Sequence, residues 1–107
     1  MIAKGADINA KDINGVTPLY SASKAGNVDI VQLLITKNAD INVKNNAGFT
    51  PLHIAASNGN IDIVKLLVEN NAQISSKDNE GKIPYYYAMK NNHKDVAEYL
   101  ASHGGLK

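Results

Sequence analysis

The feature that most constrains this chain is an internal period of 33 residues. Glycines and prolines recur in register at that spacing: Gly15, Gly48, Gly81, Pro18, Pro51 and Pro84. Residues 12–44 aligned on 45–77 are identical at 16 of 33 positions, whereas 78–107 match the second unit at 7 of 30. Self-similarity at a period of this length is typical of stacked repeats, in which each unit buries its apolar face against the next.

The period predicts one domain, residues 1–107, divided into four segments. These are the tail of a truncated repeat (1–11), repeat one (12–44), repeat two (45–77) and a divergent repeat three (78–107). The tail matches the end of repeat one at 7 of 11 positions, so we expect the preceding face of repeat one to be partly bare. Repeat three is the most polar, as a solvent-facing C-terminal cap should be.

Each repeat is predicted to form two short helices, as repeat two illustrates. Turn residues 45–48 lead to Thr50-Pro51, where threonine caps the first free N–H groups and proline occupies the first helical position. Gly59 is expected to end this helix in the left-handed conformation, and a second helix should start near Asn60. In repeat one, a short extended stretch over 40–43 is expected to follow the second helix.

The residues of repeat two resemble the ankyrin repeat. The resemblance rests on Gly48-Phe49-Thr50-Pro51-Leu52-His53-Ile54-Ala55-Ala56, on Val64-Lys65-Leu66-Leu67, and on the junctions Gly5-Ala6-Asp7-Ile8-Asn9 and Asn38-Ala39-Asp40-Ile41-Asn42. It implies an all-α solenoid of stacked helix-turn-helix units with β-turn or hairpin tips. It also implies a protein–protein interaction module whose partner lies on the concave face, formed by the tips and the first helices.

Repeat three departs from the family pattern at four positions. Ile83 replaces the capping threonine, which should cost about 1 kcal/mol at that helix start. Asn92 replaces the glycine that ends the first helix. Tyr85 replaces a core leucine and Tyr86 the motif histidine, so both rings are expected to pack inside. In repeat two the motif histidine, His53, is expected to form a structural hydrogen bond to the neighbouring loop.

Carried over position by position, the resemblance places candidate partner-binding residues on the tips and first helices. They are Ile13, Val16, Lys24, Lys44, Asn46, Phe49, Ser57, Asn58, Asn79, Lys82 and Lys90. Phe49 has two interpretations: an exposed anchor beside Ile13 and Val16 within a polar rim, or a ring folded onto its neighbours. On the first interpretation, Phe49→Lys should weaken partner capture without unfolding the domain.

Lysines recur at the start of each tip, at Lys11, Lys44 and Lys77, and are expected to line up along one edge. Such a row either favours an acidic partner segment or is simply a solvated face. Besides binding another protein, the chain has an alternative function as a scaffold segment that self-associates through the uncapped face of repeat one. A closed dimer or an open filament would follow from the symmetry of that contact.

Composition argues against other functional classes. The chain has no cysteine, which removes thiolate metal sites and cysteine nucleophiles, and a net charge of only +1 without arginine, unlike nucleic-acid-binding surfaces. No apolar run approaches the ~18 residues of a membrane span. No phosphate loop, nucleophile elbow or metal-ligand spacing is present. We therefore expect a non-enzymatic protein without cofactors, in the cytoplasm or, for a secreted effector, in a host-cell cytosol.

Overall fold

The computed structural model describes residues 8–106, which form α-helices joined by turns, with no β-strand in that range. The six helices are α1 Pro18–Ala25, α2 Val28–Thr36, α3 Pro51–Asn58, α4 Ile61–Glu69, α5 Pro84–Lys90 and α6 Lys94–Ser102. The first helices α1, α3 and α5 pack side by side in one layer, and α2, α4 and α6 form the second layer. The prediction of an all-α stack of helix pairs is confirmed.

The helix starts confirm the capping prediction. The hydroxyl oxygens of Thr17 and Thr50 accept hydrogen bonds from the N–H groups of Tyr20 and His53, each at 3.3 Å. Ile83 makes no such bond at the start of α5. Without this cap, the N–H groups of the first turn of α5 have no side-chain partner at the N-cap residue. Of the three first helices, α5 therefore has the least stabilised N-terminus.

The helix ends also follow the predicted pattern. Gly26 and Gly59 close α1 and α3 with φ of 76° and 74°, in the left-handed region. Asn38, Asn71 and Asn92 adopt the same conformation at the ends of α2, α4 and α5, with φ of 67°, 74° and 64°. Asparagine tolerates this region because its short polar side chain can bond locally.

The core lies between the two helix layers. Its fully buried apolar side chains include Leu19, Val31, Leu34, Leu52, Ile63, Val64, Leu67, Val96 and Leu100. They come from all three repeats and make one continuous cluster. Within residues 8–106, no buried side-chain nitrogen or oxygen lacks a hydrogen-bond partner. Stability in such a stack is close to a sum over neighbouring repeats.

One local prediction is wrong. The stretch 40–43 is not extended throughout, because Ile41 and Asn42 form a turn. The Asp40 carboxylate accepts the N–H of Asn42 at 3.0 Å, a local bond that favours a turn over a strand. The predicted tail of the truncated repeat, residues 1–11, falls mostly on residues 1–7, outside the described part of the chain.

Candidate functional site

The tip of each repeat is a tight turn closed by its own first residue. In repeat two, Oδ1 of Asn45 accepts the N–H groups of Ala47 at 2.9 Å and Phe49 at 3.0 Å. In repeat three, Oδ1 of Asp78 accepts the equivalent N–H groups of Glu80 and Lys82, both at 2.9 Å. The tips therefore hold their shape through local hydrogen bonds before any partner arrives.

Neighbouring tips are joined by asparagine side chains. Nδ2 of Asn46 donates to the carbonyl of Ile13 at 3.0 Å, and Nδ2 of Asn79 donates to the carbonyl of Asn46 at 2.8 Å. Both asparagines are among the predicted partner-binding residues, yet each amide already links two repeats. The side chain of Ile13 projects from the same row and is 92% exposed.

The predicted lysine row forms, and its side chains run along the stack. Nζ of Lys11 donates to the carbonyl of Lys44 at 3.4 Å, and Nζ of Lys44 donates to the carbonyl of Lys77 at 2.8 Å. Each of these two lysine side chains therefore spans from its own tip to the tip of the next repeat. The sequence predicted the row itself but not the bonds to the next repeat.

The ends of the first helices are tied together in the same way. Nδ2 of Asn58 donates to the carbonyl of Lys24 at 3.1 Å. One repeat further on, Nδ2 of Asn91 donates to the carbonyl of Ser57 at 2.9 Å, and Nε2 of His93 donates to that same carbonyl at 3.1 Å. Asn58 and Ser57 thus serve inter-repeat packing, while the Lys24 side chain stays exposed.

Phe49 lies in an aromatic cluster rather than standing free at the tip. Its half-buried ring stacks on His53, with ring centroids 5.0 Å apart, and tilts against Tyr87 at 4.9 Å. This arrangement matches the second interpretation of Phe49, in which the ring folds onto its neighbours. Val16, one repeat earlier at the same position, is also half-buried.

His53 is buried and joins two repeats, as the structural prediction required. Nε2 donates to the carbonyl of Lys82 at 3.0 Å, while Nδ1 accepts the N–H of Thr50 at 3.1 Å. One ring nitrogen donates and the other accepts, which is the pattern of a neutral imidazole. Burial lowers the pKa of His53 below its usual 6.5, although the Lys82 carbonyl and the Asp78 charge oppose that shift.

Asp78 and Tyr87 form a contact that the sequence analysis missed. The Tyr87 hydroxyl donates to Oδ2 of Asp78. Burial alone would raise the pKa of Asp78, but this bond and the N–H groups of Lys82 and Glu80 outweigh it and lower that pKa. Burial, followed by the Asp78 bond and charge, raises the pKa of Tyr87. The only indication in the sequence was a tyrosine at a position where the other repeats have Ser21 and Ile54.

The prediction that Tyr86 packs inside is wrong, because 39% of the side chain is exposed. Its ring lies edge-on to Tyr87, with centroids 5.1 Å apart. Nζ of Lys82 is 4.7 Å from the Tyr86 ring centroid, and Nζ of Lys90 is 6.0 Å from it. The equivalent Tyr20 in repeat one is buried, so the packing around repeat three, and not the residue type, exposes Tyr86. Tyr85 packs against the core as predicted.

Residues 8–106 contain neither a metal site nor a membrane-spanning helix. No group of three or more His, Asp or Glu side chains in residues 8–106 is arranged to hold a metal ion. In the same range no helix is long and apolar enough to cross a bilayer. Two open grooves run between the second helices, one lined by residues such as Gln32 and Lys65 and the other by residues such as Lys65 and Tyr99.

Comparison with known families agrees with this architecture. A family model described as ankyrin repeats, in three copies, matches residues 1–78 and again 38–107, and the two matches together span the chain. A search of the curated proteins found no match. The match covers the turns, both helix layers and the junctions between repeats.

Proposed function

Because this chain belongs to the ankyrin-repeat family, we propose that it binds a partner protein through its tips and first helices. This surface, here called the tip face, consists of residues 11–25, 44–58 and 77–91. Ankyrin repeats are generally protein–protein interaction modules, and the family is generally non-catalytic.

The observation that carries the proposal is the pre-ordered tip face. Side-chain amides of Asn46, Asn58, Asn79 and Asn91 join each repeat to the one before it. A surface whose shape is fixed before association loses little conformational entropy on binding, which favours affinity. The same surface exposes Ile13 and Met89, of which 92% and 51% are accessible, beside the lysines.

The other face offers less for recognition. The second helices present open grooves whose linings carry Asp29, Asp62 and Asp95. These acids lie in the first turns of α2, α4 and α6, where they complement the positive ends of the helices. Helix stability therefore accounts for them without any partner.

Site-specific photocrosslinking tests the proposal. A photoreactive amino acid is placed at Ile13 or Lys24 on the tip face, and at Gln32 or Glu98 on the second helices as matched exposed controls. We expect defined protein adducts in cells from the first pair and not from the second. The crosslinked protein, once identified and purified, should bind the wild-type chain and lose affinity on Ile13→Lys. Adducts that form mainly from Gln32 or Glu98 would contradict the proposed face.

Self-association is the second candidate, and Leu33 favours it. This side chain is 47% exposed on α2, while the equivalent Leu66 lines the groove between α2 and α4. Leu33 is thus positioned to pack against a helix of a second copy of the chain. Light scattering over a concentration series tests this. A mass that rises with concentration and returns to the monomer value in Leu33→Lys supports self-association, whereas a constant monomer mass rejects it.

A further inference from the structure

The tip face and the rest of the described chain carry opposite net charge, although residues 8–106 contain equal numbers of lysines and acids. The tip face holds six lysines and three acids, a net charge of +3: Lys11, Lys24, Lys44, Lys77, Lys82, Lys90, Asp12, Asp78 and Glu80. The rest of the described chain holds three lysines and six acids, a net charge of −3: Lys37, Lys65, Lys94, Asp29, Asp40, Asp62, Glu69, Asp95 and Glu98.

The net positive charge of the tip face lies at its solvent-exposed surface. Asp78, one of the three acids on the tip face, is buried and accepts the Tyr87 hydroxyl, while Lys24, Lys44 and Lys90 are exposed. Complementary charge across an interface selects partners and accelerates encounter. A net charge near zero for the whole chain conceals this separation.

Repeat three adds a place where such a partner can be anchored. Two ammonium groups lie near the exposed ring of Tyr86: Nζ of Lys82 is 4.7 Å and Nζ of Lys90 is 6.0 Å from the ring centroid. Met89, in the same helix, is 51% exposed. Aromatic side chains surrounded by polar groups are the usual centres of protein interfaces.

We propose that the tip face binds a partner segment rich in aspartate and glutamate, with an apolar side chain on Tyr86 and carboxylates at Lys82 and Lys90. This inference rests on the proposed function and specifies the chemistry of the partner. Lysine provides point charges that suit separate carboxylates, whereas base recognition usually employs the planar, bidentate guanidinium of arginine. The chain contains no arginine, which favours an acidic peptide over a nucleic acid.

Fluorescence anisotropy with a labelled peptide of alternating glutamate and leucine tests the inference. The comparison probes are the same peptide with glutamine or lysine in place of glutamate, a single-stranded oligothymidine, and vesicles containing phosphatidylserine. We expect the glutamate peptide to bind most tightly, and we expect its affinity to fall as sodium chloride rises from about 0.05 M to about 0.3 M. Tighter binding to oligothymidine or to vesicles would overturn the assignment of an acidic peptide.

Two double variants locate the binding surface. Lys82→Gln with Lys90→Gln removes the ammonium groups beside Tyr86 and should lower the affinity for the glutamate peptide about tenfold. The matched control is Lys65→Gln with Lys94→Gln, which makes the same charge change on the second helices and likewise removes a lysine near a tyrosine ring, Tyr99. Equal losses in the two variants would mean that net charge alone binds the peptide, and the inference would fail.

The inference and the proposed function can fail separately. If the partner crosslinked through Ile13 binds the variant Lys82→Gln/Lys90→Gln as tightly as wild type, the tip face is an interface but acidic recognition is wrong. If the glutamate peptide binds at Lys82 and Lys90 but no cellular protein crosslinks through Ile13 or Lys24, the proposed partner function is wrong. Circular dichroism and urea unfolding of each variant exclude loss of the fold as the cause.

Discussion

Nε2 of His53 donates a hydrogen bond to the carbonyl oxygen of Lys82, 3.0 Å away, and so joins the first helix of repeat two to the tip of repeat three. Replacing His53 with alanine leaves that carbonyl and the Thr50 N–H without their partner and opens a cavity. We expect His53→Ala to lower the free energy of unfolding by about 3 kcal/mol, measured by urea denaturation. The control is Tyr86→Ala, at the same position in the exposed last repeat, for which we expect less than about 1 kcal/mol. Equal losses would mean that the inter-repeat bond is not what His53 contributes.

Stability should fall as the pH drops below neutral, and His53 should be one cause. Burial lowers the pKa of His53 in the folded chain below 6.5, so between the folded value and 6.5 the unfolded chain binds more protons. The contribution of neutral His53 to the free energy of unfolding is complete above about pH 6.5. It is lost as the pH falls towards the pKa of His53 in the folded chain. Urea denaturation at several pH values should show a weaker dependence in this window for His53→Tyr, the residue found at this position in the other two repeats. An unchanged profile would contradict the role of His53.

The stability contributed by Asp78 should be lost in a separate and lower pH range. The Tyr87 hydroxyl and two N–H groups hold the pKa of Asp78 below its usual 3.8 despite burial. This contribution is therefore complete above about pH 3.8 and disappears as the pH falls through the folded pKa. Tyr87→Phe should reduce stability at neutral pH by about 1–2 kcal/mol and by less in strong acid, in a urea series. A loss that is the same at every pH would argue that the hydroxyl does not favour the ionised carboxylate.

Two equivalent tip glycines should differ in their tolerance of alanine. Gly48 and Gly81 have φ of 82° and 78°, so alanine is strained at both. A Cβ at Gly48 would lie 2.6 Å from the backbone nitrogen of Asn79, whereas one at Gly81 would have no heavy atom within 4 Å. We expect Gly81→Ala to cost about 1 kcal/mol and Gly48→Ala about 3 kcal/mol by urea denaturation. Similar costs would show that φ strain alone sets the requirement for glycine.

Restoring the missing cap should stabilise repeat three. Ile83→Thr places at the start of α5 the residue that caps α1 and α3, and the backbone there is already extended, with φ −98° and ψ 164°. We expect a gain of about 0.5–1 kcal/mol, because part of the benefit is offset by lost apolar contact of the half-buried isoleucine. The reciprocal control, Thr17→Ala, should lose about 1 kcal/mol. A thermal unfolding series that shows no gain for Ile83→Thr would contradict the capping argument.

Phe49 should affect stability as well as binding. Its ring contacts His53 and Tyr87, so Phe49→Lys should lower the free energy of unfolding by about 2 kcal/mol. Phe49→Leu, which keeps apolar volume, should lose less than about 1 kcal/mol. If Phe49→Lys is as stable as wild type but captures less of the crosslinked partner, the ring is an exposed anchor after all.

The sequence predicted most of the local structure because the relevant rules act over a few residues. Threonine-proline pairs predicted the starts of α1 and α3, and glycine or asparagine predicted the helix ends. The family pattern predicted the layered stack, and the position of His53 predicted its structural bond. The turn at Ile41 and Asn42 was missed because a local bond from Asp40 overrides the extended conformation there.

The candidate site was predicted less well because exposure depends on residues 33 or more positions away. Asn46 and Asn79 occupy tip positions that appear free in the sequence, yet their amides bond to carbonyls one repeat earlier. Tyr86 occupies a position that is buried in repeat two, yet it is exposed in repeat three. No single repeat contains the information that separates these cases.

The sequence by itself therefore determined the repeat length, the helix boundaries and the positions that need a left-handed backbone, since these follow from backbone sterics and local hydrogen bonds. Only the tertiary structure decided which polar side chains join repeats and which face solvent. It alone also showed that Asp78, one of the three acids of the tip face, is buried. The physical reason is that stacking brings together groups a full repeat apart, so burial and charge at the surface belong to the assembled stack.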